Sequence, residues 1–144
     1  MSATPLKGHT ILVAEDHDDA RTQIEAFLKQ KGANVVGARN AAEGLEAIKK
    51  RRPSLILSDI HMPGGDGFEL LSEIHGLNSS SEPAIPAIAM TGLVSLADGR
   101  RILEAGFRAY LRKPFIPDAL LETVLSVLSI GEDHSRRPGE ASSS

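Results

Sequence analysis

Apolar residues along the chain fall into two alternating patterns. Short runs such as Ile11, Leu12, Val13 and Ala14 are apolar at every position, and each is followed by a longer stretch with apolar residues every three or four positions. The first pattern predicts a strand covered on both faces, the second an amphipathic helix. Strands are expected at residues 9–14, 34–38, 55–58, 87–90 and 109–112, and helices at 18–31, 41–51, 68–75, 96–105 and 116–130. The punctuation agrees. Gly32 and Gly106 close the first and fourth helices. Asn40 stands where it can cap the second, and Pro53 stops that helix after a basic turn of Lys49, Lys50 and Arg51.

Successive strands begin about 22 residues apart, except across the third helix, where the polar stretch 78–83 lengthens the interval. A strand plus a crossover helix is the repeat of a parallel sheet. The expected fold is therefore an α/β domain, a doubly wound five-stranded parallel sheet of the (βα)5 type. Residues 1–8 form an N-terminal extension, 9–130 the folded domain, and 131–144, apolar only at Ala141, a disordered polar tail.

Composition narrows the function classes. A chain of 144 residues fits one domain. Its net charge of −3 argues against direct nucleic-acid binding, which needs a basic footprint. The absence of cysteine excludes a disulfide framework, a thiol nucleophile and a Cys-based zinc site, and fits a reducing compartment. The first residues lack the apolar core of a signal peptide, and no apolar run approaches the length of a membrane helix. The expectation is a cytoplasmic protein with no membrane contact.

The chemistry lies where the strands end. In open α/β sheets, ligands sit outside the carboxyl ends of the strands. Glu15 and Asp16 follow the first strand, Asp59 the third, Thr91 the fourth and Lys113 the fifth. In strand order 2-1-3-4-5 the first and third strands are neighbours, so the three acids converge; periodicity does not fix that order, but the convergence favours it. Three carboxylates at close range repel one another unless a counter-charge is present. An all-oxygen ligand set suits Mg2+. With Lys113 as a second positive point on the far side, a hydroxyl and one exposed carboxylate, such a site suits phosphoryl transfer onto that carboxylate.

These residues resemble the response-regulator receiver domains (CheY-like). The resemblance covers about residues 8–130 and rests on Glu15-Asp16, on the run from Asp59 through Ile60, His61, Met62, Pro63, Gly64, Gly65 and Asp66 to Gly67, on Met90-Thr91-Gly92, and on Tyr110-Leu111-Arg112-Lys113-Pro114-Phe115. It implies that Asp59 is the phosphoacceptor, served by a sensor histidine kinase or histidine phosphotransfer protein. Asp16 would bind Mg2+ directly and Glu15 through water, with Asp59 and the main-chain carbonyl of His61 completing the protein ligands. Thr91 would be the switch hydroxyl, Tyr110 the aromatic switch and Lys113 the salt-bridging lysine, joined to Pro114 by a cis bond. His61 and Leu93 would tune phosphoryl loss. The output would be a downstream protein bound through the fourth helix, fifth strand and fifth helix, by a monomer or weak homodimer that catalyses only its own phosphorylation and dephosphorylation.

Plainer readings stand beside these. Taken singly, Asp59 is an ordinary helix cap, Glu15 and Asp16 favour a helix dipole, and Lys113 is a solvated turn residue. Tyr110 reads equally as a half-buried structural ring. His17 and His61 read as exposed. The loop residues Pro63, Gly64 and Gly65 read as structural. An aspartate-nucleophile phosphatase would place a second Asp where His61 stands. A nucleotide or flavin module would need a phosphate-cradling turn where Glu15-Asp16-His17-Asp18-Asp19 repels anions. A stand-alone receiver, suggested by the opening Met and closing Ser run, is preferred to a fragment of a hybrid kinase or multidomain regulator.

Overall fold

The structure, a computed structural model, describes residues 3–62, 66–77, 84–92 and 95–132. Three of the runs become inner strands. β1 (Thr10–Ala14), β3 (Leu55–Asp59) and β4 (Ala87–Thr91) are buried at every position. β2 (Asn34–Ala38) and β5 (Ala109–Arg112) form the part-exposed edges. All pairs are parallel, and the order is β2-β1-β3-β4-β5, the order that the convergence of acids favoured.

Side chains alternate across the sheet with the period of two that strands impose. On one face Leu12, Ile56, Ala87 and Ala89 pack with Ile48 of α2 (Ala41–Lys50), Leu70, Leu71 and Ile74 of α3 (Gly67–Leu77), and Ile102 of α4 (Leu96–Glu104). On the other face Ile11, Val13, Leu55, Leu57, Ile88 and Met90 pack with Ile24 and Leu28 of α1 (Asp18–Gln30) and Leu120 and Val124 of α5 (Pro117–Glu132).

Element ends differ from expectation by one or two residues. β3 and β4 each gain one residue, Asp59 and Thr91, so both candidate side chains stand on the strands themselves. α3 is longer at both ends than the expected 68–75. α5 begins at Pro117, a favoured first helical position, and ends at Glu132, two residues into the stretch expected to be tail. Residues 133–144, the polar stretch 78–83 and the loop residues 63–65 lie outside the described residues.

Two features escaped the periodicity. Leu6, in the expected extension, is fully buried on the α1/α5 side, and its amide donates to the Lys31 carbonyl at 2.9 Å. Gly32 makes this possible: it has φ +100°, and a Cβ there would lie 2.8 Å from Thr4 Cβ. Ser95 caps α4 through a full capping box with Asp98. Asn40 caps α2 as expected, accepting from the Glu43 amide at 2.9 Å. The Lys113–Pro114 bond is cis. Among the described residues, no helix is long and apolar enough to cross a membrane.

Candidate functional site

Parallel strands deliver their carboxyl ends to one edge, and the registers set how those ends line up. Ala14 pairs with Ser58, Asp59 with Met90, and Thr91 with Arg112. Glu15, Asp16, Asp59, Thr91 and Lys113 therefore rim the same edge. The Lys113 amide continues the ladder by donating to the Thr91 carbonyl at 2.7 Å. Gly67 lets α3 begin tight against β3: a Cβ there would lie 2.6 Å from the Asp59 carbonyl oxygen.

Lys113 pairs with two of the acids. It is no separate positive point across the site; its Nζ lies between two of the acids, donating to Glu15 Oε1 at 2.7 Å and to Asp59 Oδ2 at 3.0 Å. The Glu15 side chain is wholly buried and that of Asp59 is 9% exposed, so each needs a counter-charge, and the ammonium supplies it to both. The lysine stem is long enough to reach back from β5, and two buried carboxylates draw it in. Burial pushes the Lys113 ammonium down, but hydrogen bonds to Glu15 and Asp59 and their charges push it up further, so it titrates above the usual lysine range.

Asp16 is left without such a partner. Its Oδ1 is the buried side-chain polar atom, among the described residues, that makes no hydrogen bond. Both Glu15 oxygens, by contrast, accept protein donors: Oε1 from Lys113 and Oε2 from the His17 amide at 3.2 Å. His17 Nδ1 stands 3.5 Å from Asp16 Oδ1 and 3.6 Å from Glu15 Oε2, although its side chain is exposed. Ligand atoms of Glu15, Asp16 and His17 lie within 4.8 Å of one another, an arrangement able to hold a metal ion. An unpartnered buried carboxylate oxygen among acidic neighbours fits a hard divalent cation. Asp59 does not belong to that trio; it joins the acids through Lys113. The His61 amide donates to Asp59 Oδ1 at 3.3 Å, and its side chain is exposed, as expected of both histidines.

Thr91 is buried at the end of β4 and lines a cavity of about 150 Å3 between α3 and α4, with Ile60, Phe68 and Ile102. Tyr110 is half-buried and stands apart from that cavity, its ring directed at Gly99 of α4. Leu93 lies outside the described residues, so of the pair expected to tune phosphoryl loss only His61 is located.

One contributor was missed. Arg21, mostly buried on α1, donates from Nη1 to the Glu15 carbonyl at 2.9 Å and from Nη2 to Asp18 Oδ1 at 2.7 Å, with Glu25 at 3.7 Å from Nε. It pins the main chain from which the acids project. The spacing of Asp18, Arg21 and Glu25 marks a helix-face cluster, but nothing in it points to the Glu15 carbonyl.

The chain has relatives among known proteins. The model of the response regulator receiver domain matches residues 11–125. The chain is 38% identical over 114 residues to an uncharacterized 14.6 kDa protein in the sodA1 3′ region of Leptolyngbya boryana, covering 79% of this chain and 86% of that protein. It is 33% identical over 129 residues to the sensor histidine kinase CheAY of Helicobacter pylori, covering 88% of this chain but only 16% of the kinase. It superposes on the crystal structure of a response regulator receiver domain protein (CheY-like) from Methanospirillum hungatei with a TM-score of 0.79 at 34% identity, covering 90% of this chain and 99% of that one.

Proposed function

Because the chain belongs to the response regulator receiver domain family, we propose that Asp59 is its phosphoacceptor in a two-component phosphorelay. A carboxylate oxygen of Asp59 attacks the phosphorus of a phosphohistidine on a sensor histidine kinase or histidine phosphotransfer protein. The P–N bond breaks, its electron pair stays on the imidazole, and Asp59 becomes an acyl phosphate. The observation that carries this reading is the Lys113 ammonium, already 3.0 Å from the Asp59 carboxylate, where it offsets the charge that a phosphoryl group brings. The His61 amide steadies the other oxygen.

Asp16, Asp59 and the main-chain carbonyl of His61 would hold Mg2+, with Glu15 acting through water. The unpartnered Asp16 Oδ1 supports a direct ligand there, and the two occupied oxygens of Glu15 support an indirect one. When bound, the ion supplies positive charge against the phosphoryl oxygens. Thr91 and Tyr110 form the switch, which biases a face made of α4, β5 and α5 toward a downstream protein. On that face Leu96 is 92% and Leu103 48% exposed, beside exposed Arg100, Arg108 and Arg112. The receiver unit takes in Leu6 and α5 to Glu132 as well as residues 9–130, and works in the cytoplasm as a monomer or weak homodimer, with no turnover beyond its own phosphorylation and dephosphorylation.

Incubation with a small phosphodonor and Mg2+, read by intact mass, tests the reading. A gain of one phosphoryl group, lost in Asp59→Ala and with chelator, is expected. A gain that survives Asp59→Ala overturns it.

A further inference from the structure

Gly99 occupies the middle of α4, where glycine is the least favourable residue after proline. Its backbone does not need glycine: the described residues with positive φ are Gly8, Gly32 and Gly106. What the position needs is the missing side chain. A Cβ on Gly99 would lie 2.6 Å from the Tyr110 hydroxyl oxygen, 3.0 Å from Cζ and 3.2 Å from Cε2. The contrast within the fold is Gly44, also buried in a helix, where a Cβ would meet Leu70 methyl carbons at 3.4 and 3.5 Å and Leu12 Cδ2 at 3.7 Å, ordinary van der Waals contacts. The helix-breaking residue of α4 thus stands opposite the one tyrosine of the chain.

We infer that Gly99 is a positioning residue: a notch in α4 that seats the Tyr110 ring and sets the resting side of the switch. The inference rests on the reading of Tyr110 as the switch aromatic. Any side chain at position 99 pushes the ring off its seat. Overpacking of this kind moves a two-state equilibrium by about tenfold. A Gly99→Ala chain therefore samples, without phosphate, the ring position that phosphorylation favours in the native chain. By linkage, the same bias favours the phosphorylated state of Asp59 at equilibrium.

With one tyrosine and no tryptophan, the intrinsic fluorescence of the whole chain reports Tyr110 alone. Acrylamide quenching is measured for wild type and Gly99→Ala, with and without phosphodonor and Mg2+, with Gly44→Ala as the helix control. The expected result is a quenching constant for unphosphorylated Gly99→Ala displaced in the same direction as that of phosphorylated wild type, and an unchanged constant for Gly44→Ala. A folded Gly99→Ala that quenches like wild type, or shifts the opposite way, overturns the notch. If phosphorylation leaves wild-type quenching unchanged, the switch reading fails, while the comparison of Gly99→Ala with wild type still judges the seat. Denaturant titration supplies a second measurement. In a Tyr110→Ala background, Gly99→Ala raises the folding constant about fivefold, as alanine does at an open helix position. The same gain in the presence of Tyr110 also overturns the proposal.

Discussion

Replacing Lys113 with methionine keeps most of the apolar stem and removes the charge between Glu15 and Asp59. Those carboxylates are buried, and their oxygens lie 2.7 and 3.0 Å from the ammonium, so its loss leaves two acids facing each other without a shared donor. Removing one partner of a buried pair costs about 3–5 kcal/mol. The Lys113 side chain is 31% exposed, and water takes over part of its work. A cost of about 2–3 kcal/mol is expected, or roughly a 6–12 °C fall in Tm for a domain of this size. The assay is urea unfolding followed by circular dichroism at pH 7 with chelator present, repeated in a Glu15→Gln/Asp59→Asn background. There the amides no longer need a cation, and Lys113→Met should cost less than about 1 kcal/mol. An equal cost in both backgrounds would refute the electrostatic account and assign the effect to packing of the stem. The pH dependence gives an independent sign. The folded Lys113 titrates above its ordinary value of 10.5, so its contribution is fully present below that pH and is lost as pH rises through the raised folded value. The gap between wild type and Lys113→Met should therefore be steady near neutrality and close only in strong alkali.

Three further perturbations probe the support of the acids and the head of α4. Arg21→Ala removes the donor to the Glu15 carbonyl and should lower stability by about 1–2 kcal/mol. It should also weaken Mg2+ binding in calorimetry, with Arg21→Lys restoring part of both; unchanged Mg2+ affinity would confine Arg21 to packing. At the head of α4, Ser95→Ala should cost about 1 kcal/mol by losing its bond to the Asp98 amide. The Ser95 amide, the Ser95 hydroxyl and then the Arg101 and His61 charges hold the Asp98 carboxyl below its ordinary 3.8. Its contribution is present above that pH and lost as pH falls through the lowered folded value. The stability gap between wild type and Asp98→Ala should thus be level at neutral pH and shrink in acid, and a gap that widened there would contradict the cap.

The strands and the shared carboxyl edge were legible because each follows from a backbone constraint, whereas the sheet order was favoured by the convergence of the acids. Buried strands must be apolar on both faces, as Leu55–Asp59 is until its last two residues, and parallel pairing must bring all carboxyl ends to one side. What was not legible was settled by side chains crossing between elements. Leu6 looks like a lone apolar residue in an extension, and only the turn at Gly32 reveals that it closes the α1/α5 core. Gly99 looks like a flaw in a helical pattern until Tyr110 is set against it.

Lys113 shows why position on a sheet edge underdetermines role. Its Cα is fixed by β5, but several rotatable bonds separate that point from the ammonium, and local spacing cannot choose among the acids within reach. Electrostatics chooses. A buried carboxylate without a donor is costlier than a lysine drawn partly out of water, so the ammonium goes to the two acids with least access to solvent. Asp16, 22% exposed, is left over, and its unpartnered Oδ1 is what supports the proposed metal ligand there. One lysine thus divides the three acids: two matched to an internal charge and one open to an external one.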